Sequence, residues 1–382
     1  MASRKEVEPS SQQTCSTEEF TNLVQSLCGK DSASVPAPSL SATDNPFSRI
    51  HLAGEFSPST GKRLTRFTLP LQAKELVWRA IEHSWPIWHS CLSGEDTFSR
   101  MLLLGKTEKP GFTVFSEPLP ALSSQQVQWT RAKMEELLSA CFFAIHLDNP
   151  TPVARALRHV PLPTLPGTAS EILFPESMFN QLAEAEDAND TLWLTYLNFE
   201  LASTILHELG HACATASVSR ARSFELGSDG CDHLGPDSQI SEIGFDIERR
   251  LWGGVPTQVE FDDSLRMISK LEFRCYYRPH DDFLHRVPMT LMMTNWPDKE
   301  IVESYPVKLH VRGELEGGHK AWFMEIPWMV DLFREEFWEA QGGGEARLAP
   351  MSMPKYTVVP GIAWANMEWR DRAKWNNQKL GL

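Results

Sequence analysis

The chain has 382 residues, of which 42% are hydrophobic, and its 50 Asp and Glu outnumber its 36 Lys and Arg, which gives a formal net charge of −14. This acidity argues against a general nucleic-acid binder, because phosphate contacts need clustered basic side chains. The N-terminus lacks an apolar signal segment, and no run of roughly eighteen apolar residues occurs. We therefore expect a cytoplasmic protein with no membrane partner.

Length and cysteine usage bound the architecture. A chain of this size can fold as one large two-lobed domain or as two ordinary domains. The seven cysteines are odd in number and scattered, without a C-x-x-C pair. That usage predicts reduced thiols and argues against a disulfide framework or a structural zinc knuckle.

Composition divides the chain into four segments. Residues 1–45 are rich in Ser, Thr, Pro and Gln and are predicted to form a disordered or loosely docked arm. Residues 46–216 are predicted to form an N-terminal lobe with a sheet, and residues 217–345 a C-terminal lobe. Residues 346–382 contain three tryptophans, so we expect this tail to pack on the body of the protein.

Hydrophobic spacing predicts the elements of the first lobe in chain order. Strands are predicted over residues 64–70, 99–104, 112–115 and 169–174. Helices are predicted over residues 72–90, with a break near Pro86, and over 123–144 and 175–185. Proline punctuates residues 150–166, which we expect to be extended.

The segment 198–216 is predicted to be an amphipathic helix with Asn198 as its N-cap. It contains His207-Glu-Leu-Gly-His211, and histidines four apart stand on one helix face. Two neutral imidazoles so placed can bind one Zn²⁺, while Glu208 can reach a water molecule beside it. The alternative is an ordinary helix whose histidines only pack or form hydrogen bonds.

A second helix is predicted from residue 237 to Gly253, and a third over residues 326–340. The former carries Glu242 and Asp246 on one face, four residues apart, with apolar residues along another side. Its carboxylates could serve the metal. They could equally form a solvated acidic face paired with Arg249 or Arg250.

His-Glu-Leu-Gly-His at residues 207–211 resembles the active-site helix of the zincin metallopeptidases, and Glu242-x-x-x-Asp246 resembles the second motif of the gluzincins. The metzincin extension does not fit, because Ala214 and Ser217 stand where it needs Gly and His. The resemblance implies an α+β, zincin-like fold. Such a fold has a twisted, mainly antiparallel sheet, an active-site helix and a mostly helical second lobe.

The same resemblance implies that Glu242 is the third metal ligand and that Asp246 accepts a hydrogen bond from His207. Two departures stand out: thirty residues separate His211 from Glu242, more than in compact thermolysin-like enzymes, and Ser241 replaces their Asn. Other candidates for the third ligand are Asp232, His233 and Glu248.

Gluzincins also supply a Tyr or His that stabilises the oxyanion, and zincins hold the substrate backbone along an edge strand. For the edge strand we predict residues 171–174. The candidate oxyanion donors are Tyr276, Tyr277, His280, His285 and His310. The densest donor cluster, residues 274–280, favours Tyr277 or His280, although neighbouring tyrosines also fit an ordinary strand.

These residues predict a zinc-dependent metallohydrolase, with Zn²⁺ preferred over Mn²⁺ or Co²⁺ because its ligands are two imidazoles and a carboxylate. Glu208 would act as the general base towards water, and the substrate would be a peptide or another amide. One alternative is a zinc enzyme on this scaffold that converts a small molecule. Another is a non-catalytic protein that binds zinc for stability. A role in DNA repair is disfavoured by the acidity.

Overall fold

The structure is a computed structural model that describes residues 35–54, 67–94, 98–100, 103–104, 107–108, 112–146, 153–218, 232–235, 242–258, 260–261, 267–268, 291–294, 321–323 and 326–340. Over these ranges the chain is a mixed α/β protein. Its helices are α1 (Leu71–His83), α2 (Trp85–Ser93), α3 (Ser124–Ala140), α4 (Glu176–Asp187), α5 (Thr191–Ser217), α6 (Ile243–Trp252), α7 (Ile326–Asp331) and α8 (Glu335–Ala340), with a 3₁₀ turn at Pro46–Arg49.

The strands in the described ranges are short apart from two. They are β1 (His51–Gly54), β2 (Phe67–Thr68), β3 (Phe98–Arg100), β4 (Leu103–Leu104), β5 (Thr107–Glu108), β6 (Phe112–Phe115), β7 (Phe142–His146), β8 (Val153–Pro161), β9 (Thr168–Pro175), β10 (Asp232–Leu234), β11 (Val255–Gln258), β12 (Glu260–Phe261), β13 (Met267–Ile268), β14 (Leu291–Thr294) and β15 (Ala321–Phe323). The strands predicted over residues 112–115 and 169–174 are confirmed, and of the strand predicted over 64–70 the described part is Phe67–Thr68. The single strand predicted over 99–104 is wrong, because β3 pairs with β6 whereas β4 pairs with β5 in another sheet.

The largest sheet has the strand order β2-β1-β7-β9-β8. It is mixed, whereas the resemblance implies a mainly antiparallel sheet. Parallel pairs join β1 to β7 and β7 to β9, while β1–β2 and β8–β9 are antiparallel. Each parallel pair is joined by a long connection: α1, α2 and α3 lie between β1 and β7 in the chain, and β8 lies between β7 and β9.

The predicted edge strand at residues 171–174 is wrong. These residues lie in β9, which is hydrogen-bonded to β7 on one side and to β8 on the other, so among the described strands the outer ones are β2 and β8. Nearly every side chain of β9 is buried. A strand that is covered on both faces has a continuous run of apolar residues. The hydrophobic pattern of residues 171–174 therefore predicts a buried strand, but it does not tell whether that strand lies inside the sheet or at its edge.

Helix α5 runs through the core for 27 residues and packs against α1, α2, α4, α6, β8 and β9. It starts at Thr191, where the side chain of Asp190 caps it by accepting a hydrogen bond from Trp193 N at 3.0 Å. The prediction of Asn198 as N-cap is therefore wrong. Asn198 is buried two turns inside the helix, and its Oδ1 accepts a hydrogen bond from Ala73 N on α1.

Other predicted helices differ at their ends. Helix α3 stops at Ala140, since Phe142 enters strand β7 by pairing with Glu171 of β9. The helix predicted from residue 237 begins at Ile243 and ends, as expected, at Gly253, which has a φ of 81°. The helix predicted over residues 326–340 is divided into α7 and α8.

One cluster of buried apolar side chains joins residues from both halves of the chain. Phe199 of α5 packs against Trp252 of α6 and Trp328 of α7, with ring centroids 5.3 and 5.8 Å apart. Among the helices in the described ranges, none combines the length and apolarity that crossing a membrane requires. The three described cysteines, Cys91, Cys141 and Cys213, are free thiols.

Candidate metal centre

Helix α5 brings His207 and His211 together on one face, with ring centroids 5.3 Å apart. His207 is buried, and the side chain of His211 is 25% exposed. The i,i+4 spacing that predicts this arrangement follows from helix geometry alone. The pair therefore has one buried ring and one ring that faces towards solvent.

Helix α6 supplies Glu242 at its N-cap, where its two carboxylate oxygens have different partners. Oε2 accepts a hydrogen bond from Phe245 N at 2.7 Å, and this contact fixes the side chain at the start of the helix. Oε1 lies 2.5 Å from His211 Nε2 and 3.6 Å from His207 Nε2. The cap thus directs one oxygen of Glu242 at the two imidazoles.

Two glycines allow the helices to approach closely enough for this contact. A Cβ atom at Gly244 of α6 would lie 2.5 Å from Cγ, Cδ2 and Nε2 of His207. A Cβ atom at Gly210 of α5 would lie 2.5 Å from Cδ1 of Ile247. Both glycines fall inside the two motifs, so the same short segments carry the ligands and the room for them.

The group formed by His207, His211 and Glu242 could hold a metal ion, because its three donor atoms lie within 4.8 Å of one another. Donors around a tetrahedral zinc are separated by roughly 3.4 Å, which the 3.6 Å between His207 and Glu242 approaches. Glu242 Oε1 is buried and faces both rings, and a buried carboxylate oxygen needs a donor or a cation as its partner.

Glu242 and His207 shift each other's pKa values. Burial alone would raise the pKa of Glu242, but His207 and then His211 lower it to about 2. Burial alone would lower the pKa of His207, but Glu242 and then Glu248 raise it above its ordinary value. The charged carboxylate and the charged ring therefore stabilise each other, and a bound cation would take the place of the proton.

The second nitrogen of His207 faces a different acid. Its Nδ1 lies 3.6 Å from Oε1 of Glu248, which is fully buried. The sequence offered Glu248 only as another possible ligand. The sequence nonetheless contains an indication of this contact. Ser203 and His207 are four apart on α5, so both side chains face the same neighbouring helix.

The remaining predicted residues have different outcomes. Glu208 is buried, and its charge acts on His207. Asp246 is buried, and its Oδ1 lies 3.4 Å from Arg249 Nη2, so its hydrogen bond to His207 stays a prediction. Asp232 and His233 lie in β10, where they pair with β6. The predicted oxyanion donors Tyr276, Tyr277, His280, His285 and His310 lie outside the described residues.

No family model matches the sequence, and neither a curated protein nor a solved structure gives a match. The chemistry of the site therefore follows from its own residues. Two crossing helices bring two imidazoles, one buried carboxylate oxygen and a neighbouring acid to one place.

Proposed function

We propose that the protein is a zinc-dependent hydrolase of gluzincin type that cleaves peptide or other amide bonds. The observation that carries the proposal is the convergence of His207, His211 and Glu242 from two helices, with Glu208 next to His207 on α5. Two imidazoles and one carboxylate are a ligand set that catalytic zinc uses in proteins.

His207 and His211 would bind the ion through nitrogen, and Glu242 through Oε1. When bound, zinc supplies Lewis acidity towards a carbonyl oxygen and acidifies water. The role of Glu242 Oε2 is to hold the ligand in place through Phe245 N. The exposed side of His211 leaves a direction from which substrate can approach.

Glu208 would act as the general base. It follows His207 directly, so its side chain projects about 100° round the helix from the ring. The carboxylate accepts a proton from the attacking water and passes it to the leaving nitrogen, so that the C–N bond breaks with a neutral amine departing. Its burial shields this proton transfer from bulk water.

The substrate backbone would lie along an outer strand of the large sheet. Of the two outer strands, β8 packs against α5, the helix that carries the histidines. A strand with one unpaired edge can bind an extended peptide through backbone hydrogen bonds. We therefore place the peptide along β8, in the position that the sequence had assigned to residues 171–174.

The test is metal content measured together with turnover on a peptide library. We expect about one zinc per wild-type chain, its loss in His207→Ala, and its retention in Glu208→Gln with turnover reduced at least about 100-fold. The matched control is Glu186→Gln, an exposed carboxylate on α4. Zinc-free wild-type protein, or unchanged turnover in Glu208→Gln, would refute the hydrolase. Zinc binding without peptide cleavage would favour a small-molecule substrate or a binding role.

A further inference from the structure

The Nδ1 atom of His207 is buried and has no hydrogen bond within the described residues. A neutral imidazole that binds a metal through Nε2 carries its proton on Nδ1. That N–H needs an acceptor, because an unpaired donor in the core is unfavourable. The acceptor also decides which nitrogen presents its lone pair to the metal.

Glu248 offers its carboxylate to this nitrogen. Its Oε1 lies 3.6 Å from His207 Nδ1, about half an ångström beyond a hydrogen bond. Glu242 contacts the other ring nitrogen, so the two acids lie at opposite sides of the imidazole. Glu242 is therefore placed to share the ion with His207, and Glu248 to orient the ring.

A buried carboxylate needs partners of its own, and two residues provide them. Ser203 Oγ donates a hydrogen bond to Glu248 Oε1 at 3.1 Å, and Trp252 Nε1 donates one to Ser203 Oγ at 3.1 Å. Both contacts are buried. Trp252, Ser203 and Glu248 are thus joined by hydrogen bonds, and Glu248 Oε1 lies 3.6 Å from the predicted metal ligand His207.

The spacing of these four residues along their two helices brings their side chains together. Ser203 and His207 are four apart on α5, while Glu248 and Trp252 are four apart on α6. Each pair lies along one face of its helix, so the faces meet where the helices cross. The absence of a Cβ at Gly244 lets α6 approach the ring closely enough for Glu248 to reach it.

The family resemblance gives the acceptor role to Asp246, four residues after the third ligand. In the structure, Arg249 Nη2 lies 3.4 Å from Asp246 Oδ1, and the Arg249 side chain is 37% exposed. Asp246 thus has a cation on its own helix, whereas Glu248 has His207. The two acids lead to different outcomes when each is replaced.

We propose that Glu248, held by Ser203 and Trp252, is the positioning residue that accepts the Nδ1 hydrogen of His207 and directs Nε2 towards His211 and Glu242. This inference rests on the proposed metal function. Removing such a support typically weakens metal binding 10- to 100-fold without removing a ligand. The effect is therefore on zinc affinity, and it is measurable without a substrate.

The experiment measures the zinc dissociation constant of full-length variants by competition with a chromogenic chelator. Glu248→Met, which keeps the volume but removes the acceptor, is expected to bind zinc roughly 10- to 100-fold more weakly. Glu248→Gln keeps an acceptor oxygen and should recover most of the affinity. Asp246→Asn and the exposed control Glu186→Gln should stay within about threefold of wild type.

The visible spectrum of the Co²⁺-loaded protein gives a second readout, because its bands report the ligand geometry. We expect altered bands in Glu248→Met and wild-type bands in Asp246→Asn. If Glu248→Met does not fold, Ser203→Ala decides the matter, because it removes the hydrogen bond that holds Glu248 and should weaken zinc binding, whereas Glu248→Gln should keep most of the affinity.

The possible failures can be told apart. A wild-type protein that binds no zinc overturns both this inference and the proposed hydrolase. Wild-type zinc binding combined with unchanged affinity in Glu248→Met overturns the positioning role alone. The same holds if Asp246→Asn weakens zinc binding as much as Glu248→Met does.

Discussion

Gly244 is the residue at which the packing of the two helices and the metal site can be tested by one methyl group. Its substitution by alanine places a Cβ 2.5 Å from three atoms of the His207 ring. Ordinary carbon contacts are about 3.5–4.0 Å, so the ring and the helix must separate by roughly 1 Å. Phe245 packs against the ring with centroids 4.9 Å apart, which limits its room to retreat.

The energetic balance has two opposed contributions. Alanine is favoured over glycine in helices by about 0.5–1 kcal/mol. Overpacking a well-filled core costs about 1–3 kcal/mol. Because the clash is with a buried ring and not with a flexible chain end, we expect Gly244→Ala to lower the free energy of unfolding by about 1–2 kcal/mol. A 1 Å displacement also exceeds the roughly 0.2 Å tolerance of a metal ligand, so zinc affinity should fall by at least about 100-fold.

Urea unfolding of the metal-free protein and zinc competition together measure both effects. The matched control is Gly210→Ala, whose Cβ would lie 2.5 Å from Cδ1 of Ile247 and at an ordinary 3.7 Å from Gly244 Cα and Ile243 Cγ2. Adding Ile247→Val removes that atom, so the double variant should bind zinc nearly as wild type does. Wild-type stability and zinc affinity in Gly244→Ala would refute the close approach of α6 to His207.

Two further predictions concern protons at the site. Because the pKa of Glu242 is lowered to about 2, its contribution to the stability of the metal-free protein is present above pH 4.5 and is lost as the pH falls towards 2. Urea unfolding across this range should show that Glu242→Gln removes this part of the acid dependence, and identical pH profiles would contradict it. Because the pKa of His207 is raised, zinc competes with a proton for its ring, and zinc affinity should increase as the pH rises through that pKa. Calorimetry in buffers of different ionisation enthalpy should detect the released proton, and a buffer-independent enthalpy would argue against it.

Local spacing predicted the pair of histidines, and the family resemblance added Glu242 to them. His207 and His211 share a face on any helix, and the motif with Asp246 pointed to Glu242 as their partner. The choice between Asp246 and Glu248 was beyond the sequence. It depends on how far α6 is rotated against α5, which the contacts of Gly210 and Gly244 determine.

The predicted elements are right where the spacing of apolar residues along the sequence determines the structure. They are wrong where pairing or packing with distant segments determines it. Strand β6 has the predicted bounds at residues 112–115. Phe142, in contrast, was placed in a helix because its helical spacing is good, yet pairing with Glu171 draws it into a sheet. Asn198 suits a helix start, but the apolar turns before it are covered by other elements, so the helix extends back to Thr191.

Glu242 caps α6 through one carboxylate oxygen and faces the histidines through the other, and this bears on whether a metal here would be structural or catalytic. Oε2 is held by Phe245 N at 2.7 Å, so only Oε1 is free to bind an ion and the carboxylate would bind through one oxygen. With His207 and His211, the described residues then supply three ligand atoms. Structural zinc sites are closed by four protein ligands, whereas catalytic sites keep one position for water or substrate. The cap that starts α6 therefore limits Glu242 to one ligand oxygen, and the partly exposed His211 marks the solvent side of the group.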